Sequence, residues 1–118
     1  MDRRNRTVLH VSPDAILARS RGQVLTAIGC YVVHVRSEGE ALFEISLGRC
    51  GILLLCHKLS GPAREALAET FHTRCPDPYI VAVMAHESDD FPPQAHAKVV
   101  YAADHAALAN LFRDRFAA

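Results

Sequence analysis

Residues 52–56 read Ile-Leu-Leu-Leu-Cys, an apolar run with no polar position on either side. A strand with no water-facing side must be covered on both faces, as happens in a parallel sheet flanked by helices. Similar short runs recur along the chain. "TVLHV" at 7–11, "YVVHV" at 31–35, "YIVAVM" at 79–84 and "KVVY" at 98–101 are apolar or β-branched and bounded by turn formers.

The segments between them read as helices. Ser12-Pro13-Asp14 opens the first. Ser12 suits the N-cap, Pro13 the first helical position, and Asp14 complements the positive end of the dipole. This helix is expected to run to about Ile28, with Leu17, Val24, Leu25 and Ile28 near one face and Gly29 ending it. Ser37 and Glu40 have capping-box spacing and open a second helix through Ala41, Leu42, Ile45 and Leu47, with Gly48 at its end. Gly61-Pro62 starts a third, anchored by Leu67 and Phe71. "AHESDDFPPQAHA" is polar and broken by Pro92-Pro93, so it has little helical character. Asp104 is expected to cap a last helix carrying Leu108, Leu111, Phe112 and Phe116.

Strands alternating with helices at short connections imply an α/β domain with helices on both faces of the sheet. Five strands with right-handed crossovers favour the flavodoxin-like order 2-1-3-4-5. Ligands of such sheets sit outside the carboxyl ends of the strands, at the switch point between the first and third. Ser12, Cys56 and the segment Met84-Ala85-His86 are expected to converge there.

Composition narrows the function. The 118 residues are half hydrophobic, which suits one globular domain over 1–118. Residues 1–6 read as a flexible basic tail. Thirteen Lys and Arg balance thirteen Asp and Glu, so no net field recruits nucleic acid or anionic membrane. No apolar run approaches the ~20 residues of a membrane span, and a cytoplasmic protein is expected. Four cysteines (Cys30, Cys50, Cys56, Cys75) form no CxxC pair and are expected as free thiols. No Ser-His-Asp, glycine-rich phosphate loop or paired-carboxylate pattern stands out, so no enzyme and no cofactor are expected.

The chain resembles the receiver domain of bacterial two-component response regulators over nearly its whole length. "TVLHVS" resembles the first receiver strand. "AIGCYVVHVRSEGEAL" is similar to the family's "LGYEVxxAxxGxEAL", and "GILLLCHKL" to its "DLILLDxxM". "VVYAADHAALANLF" is similar to the fifth strand and last helix. The resemblance implies a receiver-like three-layer sandwich and a role in signalling through protein–protein contact.

A working receiver holds Mg²⁺ with an acidic pair after strand one and accepts a phosphoryl group on an Asp ending strand three. A Thr or Ser after strand four and a Lys after strand five sense that group. Position by position, the resemblance puts Ser12 and Pro13 where the acidic pair belongs and Cys56 where the acceptor Asp belongs. Met84 falls on the Thr or Ser, and Tyr101 with Ala102 on the Lys-Pro pair. Asp14 is the one carboxylate nearby, and His57 follows Cys56 directly. These seven residues, Ser12, Pro13, Asp14, Cys56, His57, Met84 and Tyr101, form the expected degenerate phosphosite. Ser, Pro and Met offer nothing to hold a hard cation, and a thiol cannot form an acyl phosphate. Sixteen residues separate Met84 from Tyr101, fewer than the family usually has, so its fourth helix is expected short or missing.

The expected protein is therefore an atypical receiver that signals without phosphorylation. Its partner is a protein, or a second copy of the chain. Tyr101, Phe112, Arg113 and Phe116 are the first-choice contact residues. The alternative is a thiol-based redox or metal sensor at Cys56, with His57, His86 and Asp14 as further ligands. His10 and His34 read as histidines bonded within the sheet layers, His72 as a helix-end cation, and His96 and His105 as solvated surface.

Overall fold

The computed structural model describes residues 3–117 of the chain. The strands are β1 (Thr7–Val11), β2 (Tyr31–Val35), β3 (Ile52–Leu55), β4 (Tyr79–Met84) and β5 (Ala97–Val100). The helices are α1 (Ala15–Ala27), α2 (Glu38–Leu47), α3 (Gly61–Arg74) and α4 (Ala106–Ala117). All five strands are parallel in the order β2-β1-β3-β4-β5, the flavodoxin-like order expected. Residues 85–96 hold no helix, so the receiver's usual fourth helix is missing.

Strand alternation divides the core into two layers. Leu9, Val11, Leu53, Leu55 and Ile80 pack beneath Ala41 and Ile45 of α2 and Leu67, Ala68 and Phe71 of α3. Val8, Leu54, Val81, Val83 and Val99 point the other way, onto Leu25 of α1 and Leu108 and Phe112 of α4. The period-2 geometry of a strand makes both layers from the same runs. By the same parity His10, between Leu9 and Val11, faces the α1 and α4 side.

Local chemistry sets the helix ends. Ser37 Oγ accepts the Glu40 N–H, the capping bond expected from the spacing, while the Glu40 carboxylate reaches back to the Arg36 N–H, one residue before the N-cap. Gly48 then takes the left-handed conformation (φ 70°) that closes α2. The start of α1 differs from expectation. Asp14, not Ser12, is the N-cap, and its carboxylate accepts the N–H groups of Ile16 and Leu17 at 3.0 Å each. Ser12 is withdrawn into the sheet edge, where its N–H bonds Val35 O. At α4, Asp104 bonds the Ala106 N–H, and the helix begins after a left-handed His105 (φ 56°).

The basic N-terminus is not a free tail over its described part. Arg3–Arg6 forms a 3-10 turn whose Arg4 carbonyl accepts the Gly51 N–H at 2.9 Å. A side chain at Gly51 would collide with that carbonyl. Arg3 lies over the Tyr31 ring at 4.0 Å and Arg6 over Phe116 at 4.2 Å. These cations dock because their guanidinium planes have aromatic faces to cover. Residues 1 and 2 of the expected tail lie outside the described residues.

Candidate functional site

The carboxyl ends of the strands are aligned by their pairing. Val11 stands beside Leu55 and Met84 beside Val100. The Cys56 N–H then bonds Val11 O, and the Tyr101 N–H bonds Met84 O at 2.8 Å. The residues that follow the strands are thereby held at one edge of the sheet. Ser12, Cys56 and Met84 are completely buried, Asp14, His57 and Tyr101 are half-buried, and Pro13 is exposed.

Two local groups form there. In the first, Lys58 Nζ donates to Asp14 Oδ2 at 2.6 Å, linking the loop after β3 to the start of α1. That hydrogen bond, with the capping bond from Leu17, holds the Asp14 carboxyl down at about 2 and raises Lys58. Asp14 therefore stays ionised, with both oxygens already engaged. The Lys58 N–H also points at Cys56 Sγ, 3.5 Å away.

The second group was not expected from the sequence. Arg21, on the inner face of α1, is completely buried. Its NH1 donates to His10 Nε2 at 3.3 Å and its NH2 to His57 Nδ1 at 3.1 Å. The Tyr101 ring lies 4.7 Å from the His57 ring and 5.8 Å from the Arg21 guanidinium carbon. Burial and then the Arg21 charge hold His57 below its ordinary value, and they push His10 down to about 3. His105, expected on the surface, is buried, bonds Ser20 Oγ at 2.9 Å, and is lowered by the same two causes.

This arrangement constrains the thiol. Cys56 Sγ and His57 Nδ1 are 4.0 Å apart, but the Nδ1 lone pair already accepts from Arg21. His57 is thus not free to take the Cys56 proton through that nitrogen. Met84 faces the other side of the sheet, where Arg64 of α3 donates to its Sδ and to Val83 O. Among the described residues no three His, Cys, Asp or Glu side chains gather as a metal would need, so Cys56, His57, His86 and Asp14 do not form a ligand set.

The remaining histidines act locally. His34 donates to Ser12 O at 3.0 Å. His96 Nδ1 accepts the Ile80 N–H at 3.0 Å, so this ring, expected as plain surface, closes the start of β4. The expected contact residues separate as well. Phe112 is completely buried between α4 and the sheet, Phe116 is half-covered by Arg6, and Arg113 is exposed. Exposed apolar area lies elsewhere, at Phe43 and Leu47 of α2 and Ile16 of α1. Among the described residues no helix is long and apolar enough to cross a membrane.

No family model matches the sequence, and no curated protein matches it. Solved structures do match. Response regulator TrrA of Thermotoga maritima, solved with Mg²⁺ and BeF, is 18% identical with a TM-score of 0.80, over 92% of this chain and 97% of that one. TrrA in complex with histidine kinase ThkA gives 18% identity and a TM-score of 0.78 over the same shares. A CheY-like receiver domain from Methanospirillum hungatei is 20% identical with a TM-score of 0.78, over 95% of this chain and 94% of that one. The chain has the fold of a response regulator receiver domain.

Proposed function

We propose that this protein is a receiver-like module of bacterial signalling that works through contact with a protein partner and without phosphorylation. The observation that carries the reading is the chemistry at the strand ends. Ser12, Cys56, Met84 and Tyr101 follow or end the strands, and none is a carboxylate. Asp14 is the near carboxylate, and its oxygens are committed to two backbone N–H groups and to Lys58. A hard divalent cation needs several oxygen ligands, and here it would meet the charges of Lys58 and Arg21 instead. Without the cation and an acceptor carboxylate, phosphoryl transfer has neither charge neutralisation nor a nucleophile.

A receiver-like domain without phosphochemistry still has its surface to signal with, and this supports a protein as the partner. One receiver neighbour was solved bound to a histidine kinase, which supports a signalling protein in that role. A thiol sensor at Cys56 is the weaker reading. Its side chain is fully buried, and the adjacent imidazole nitrogen is occupied by Arg21.

Incubation with acetyl phosphate and Mg²⁺, followed by intact-mass measurement, tests the phosphorylation half of the proposal. The expected spectrum shows the unmodified chain under conditions that label a working receiver. A phosphoryl adduct that hydroxylamine removes and that maps to Asp14 would overturn it.

A further inference from the structure

We propose that the open edge of β2 pairs antiparallel with the same edge of a second copy of the chain, joining the five strands of each copy into one continuous sheet. The edge holds none of the strand-end pocket residues, so the inference does not rest on the phosphosite reading. β2 ends the sheet, with no strand beyond it among the described residues. The Ser12 N–H bonds Val35 O, so Val35, Val33 and Tyr31 turn their backbone groups toward β1. Alternation along the strand then sends the N–H and C=O of Val32 and His34 outward.

An exposed edge is a template for pairing, and proteins blunt the edges they do not use with lysine, proline or a covering loop. The other edge follows that rule. β5 carries an exposed Lys98, held over the Phe91 ring at 5.2 Å. β2 has no such guard. Tyr31-Val32-Val33-His34-Val35 contains no lysine, arginine, carboxylate or proline, and the His34 ring is tied back to Ser12 O. Tyr31 and His34 are exposed, and Val32 and Val33 are half-buried.

The edge is complementary to itself. In an antiparallel pair centred on Val33, Val32 lies opposite the second copy's His34, and His34 opposite its Val32. These are the residues whose backbone groups face outward, so each pair exchanges both of its N–H···O bonds. Tyr31 then falls opposite Val35. Alternation puts it on the face of Val33 and Val35, the face that α2 covers. There Val35, Gly39, Glu40, Phe43 and Glu44 line a groove of about 400 Å³. Tyr31 is 46% exposed and carries the Arg3 guanidinium on its ring. The second copy's Tyr31 and Arg3 thus arrive beside Phe43, itself 64% exposed, and Glu40. Arg3 and Glu40 form no salt bridge within the chain among the described residues, whereas Glu44 is taken by Arg49. Opposite charges at the two ends of β2 favour the antiparallel pairing, and a parallel one would set Arg3 against Arg3. A patch that matches itself about a two-fold axis makes a closed dimer.

Sedimentation equilibrium of the full chain tests the pairing. At about 100 μM, enough to populate a weak interface, the wild type is expected to show twice the mass of one chain. Val32→Pro removes a donor that faces the second copy and spares the bonds to β1, and proline is tolerated on an edge in that orientation. This variant should keep the circular dichroism of the wild type and fall to the mass of one chain. Phe43→Lys should do the same, because it sets a cation against the second copy's Arg3. Its side chain is exposed in the single chain, so this variant decides the matter if the first fails to fold. A wild type that stays monomeric would overturn the proposal and leave the edge to a different protein. A folded variant that stays dimeric would also overturn it, by placing the contact elsewhere.

Discussion

Replacing Phe112 by alanine is expected to lower the free energy of unfolding by about 3–5 kcal/mol, the usual cost of emptying a buried phenylalanine site. Phe112 has no solvent exposure. It meets the edge of the Tyr79 ring at a centroid distance of 6.4 Å and the Phe116 ring at 6.1 Å. It packs in the layer with Leu25, Leu54, Val81 and Leu108. Neighbours on two helices and the sheet cannot close over the gap together, so both the transfer and the cavity contributions are lost. A domain is typically stable by only ~5–15 kcal/mol, so this loss is a large share of the total. Urea titration measures this, with the midpoint moving and the slope unchanged. Arg113→Ala, one residue on and exposed, should change stability by less than about 0.5 kcal/mol. A loss below about 1 kcal/mol at Phe112 would mean that the side chain faces solvent, as a contact residue would.

His10 is expected to make the fold sensitive to mild acid. Burial, and then the charges of Arg21, His34 and His105, push its pKa from 6.5 down to about 3. Between those two values the unfolded chain takes up a proton that the folded chain refuses. Stability therefore rises with pH across that window, is fully present above 6.5, and is lost as the pH falls toward 3. Each unit below 6.5 costs about 1.4 kcal/mol, so pH 5 should cost about 2 kcal/mol from this residue alone. His57 and His105 are lowered too and steepen the slope. His10→Val fits the β1 pattern and removes one titrating group. Its stability should fall less between pH 7 and pH 5 than that of the wild type, by about 2 kcal/mol. Parallel pH profiles for the two proteins would show that His10 is not held neutral in the core.

Much of the fold is legible in the residues because the signals are local. Apolar runs of four to six residues mark the strands, Ser37 with Glu40 and Gly48 mark α2, and paired prolines exclude a helix between β4 and β5. The site is legible only in part. Ser12, Cys56, Met84 and Tyr101 can be placed at the strand ends from topology alone. Which groups touch there depends on side chains distant in sequence. Arg21 illustrates this, since its partners are 11 and 36 positions away. One signal was present: Arg21 falls four residues after Leu17 and four before Leu25, on the inward stripe of α1. A long cation at such a place is ordinarily read as reaching out to water along its aliphatic stem. Here His10 and His57 offer acceptors inside, and the guanidinium stays in. Phe112 misled for the opposite reason. It stands next to charged Arg113-Asp114-Arg115, which suggests a mixed contact surface, but the four-residue step from Leu108 turns it to the sheet.

On the proposed function, the strand-end pocket of this receiver fold does not take Mg²⁺ and a phosphoryl group. The most direct test is a titration of isotopically labelled protein with Mg²⁺ and beryllofluoride, the pair bound in the TrrA neighbour, followed by amide NMR. No saturable shifts are expected at Ser12, Asp14, Cys56, Met84 or Tyr101. Saturable Mg²⁺-dependent shifts at these amides would contradict it and return the protein to phosphorylation-driven signalling.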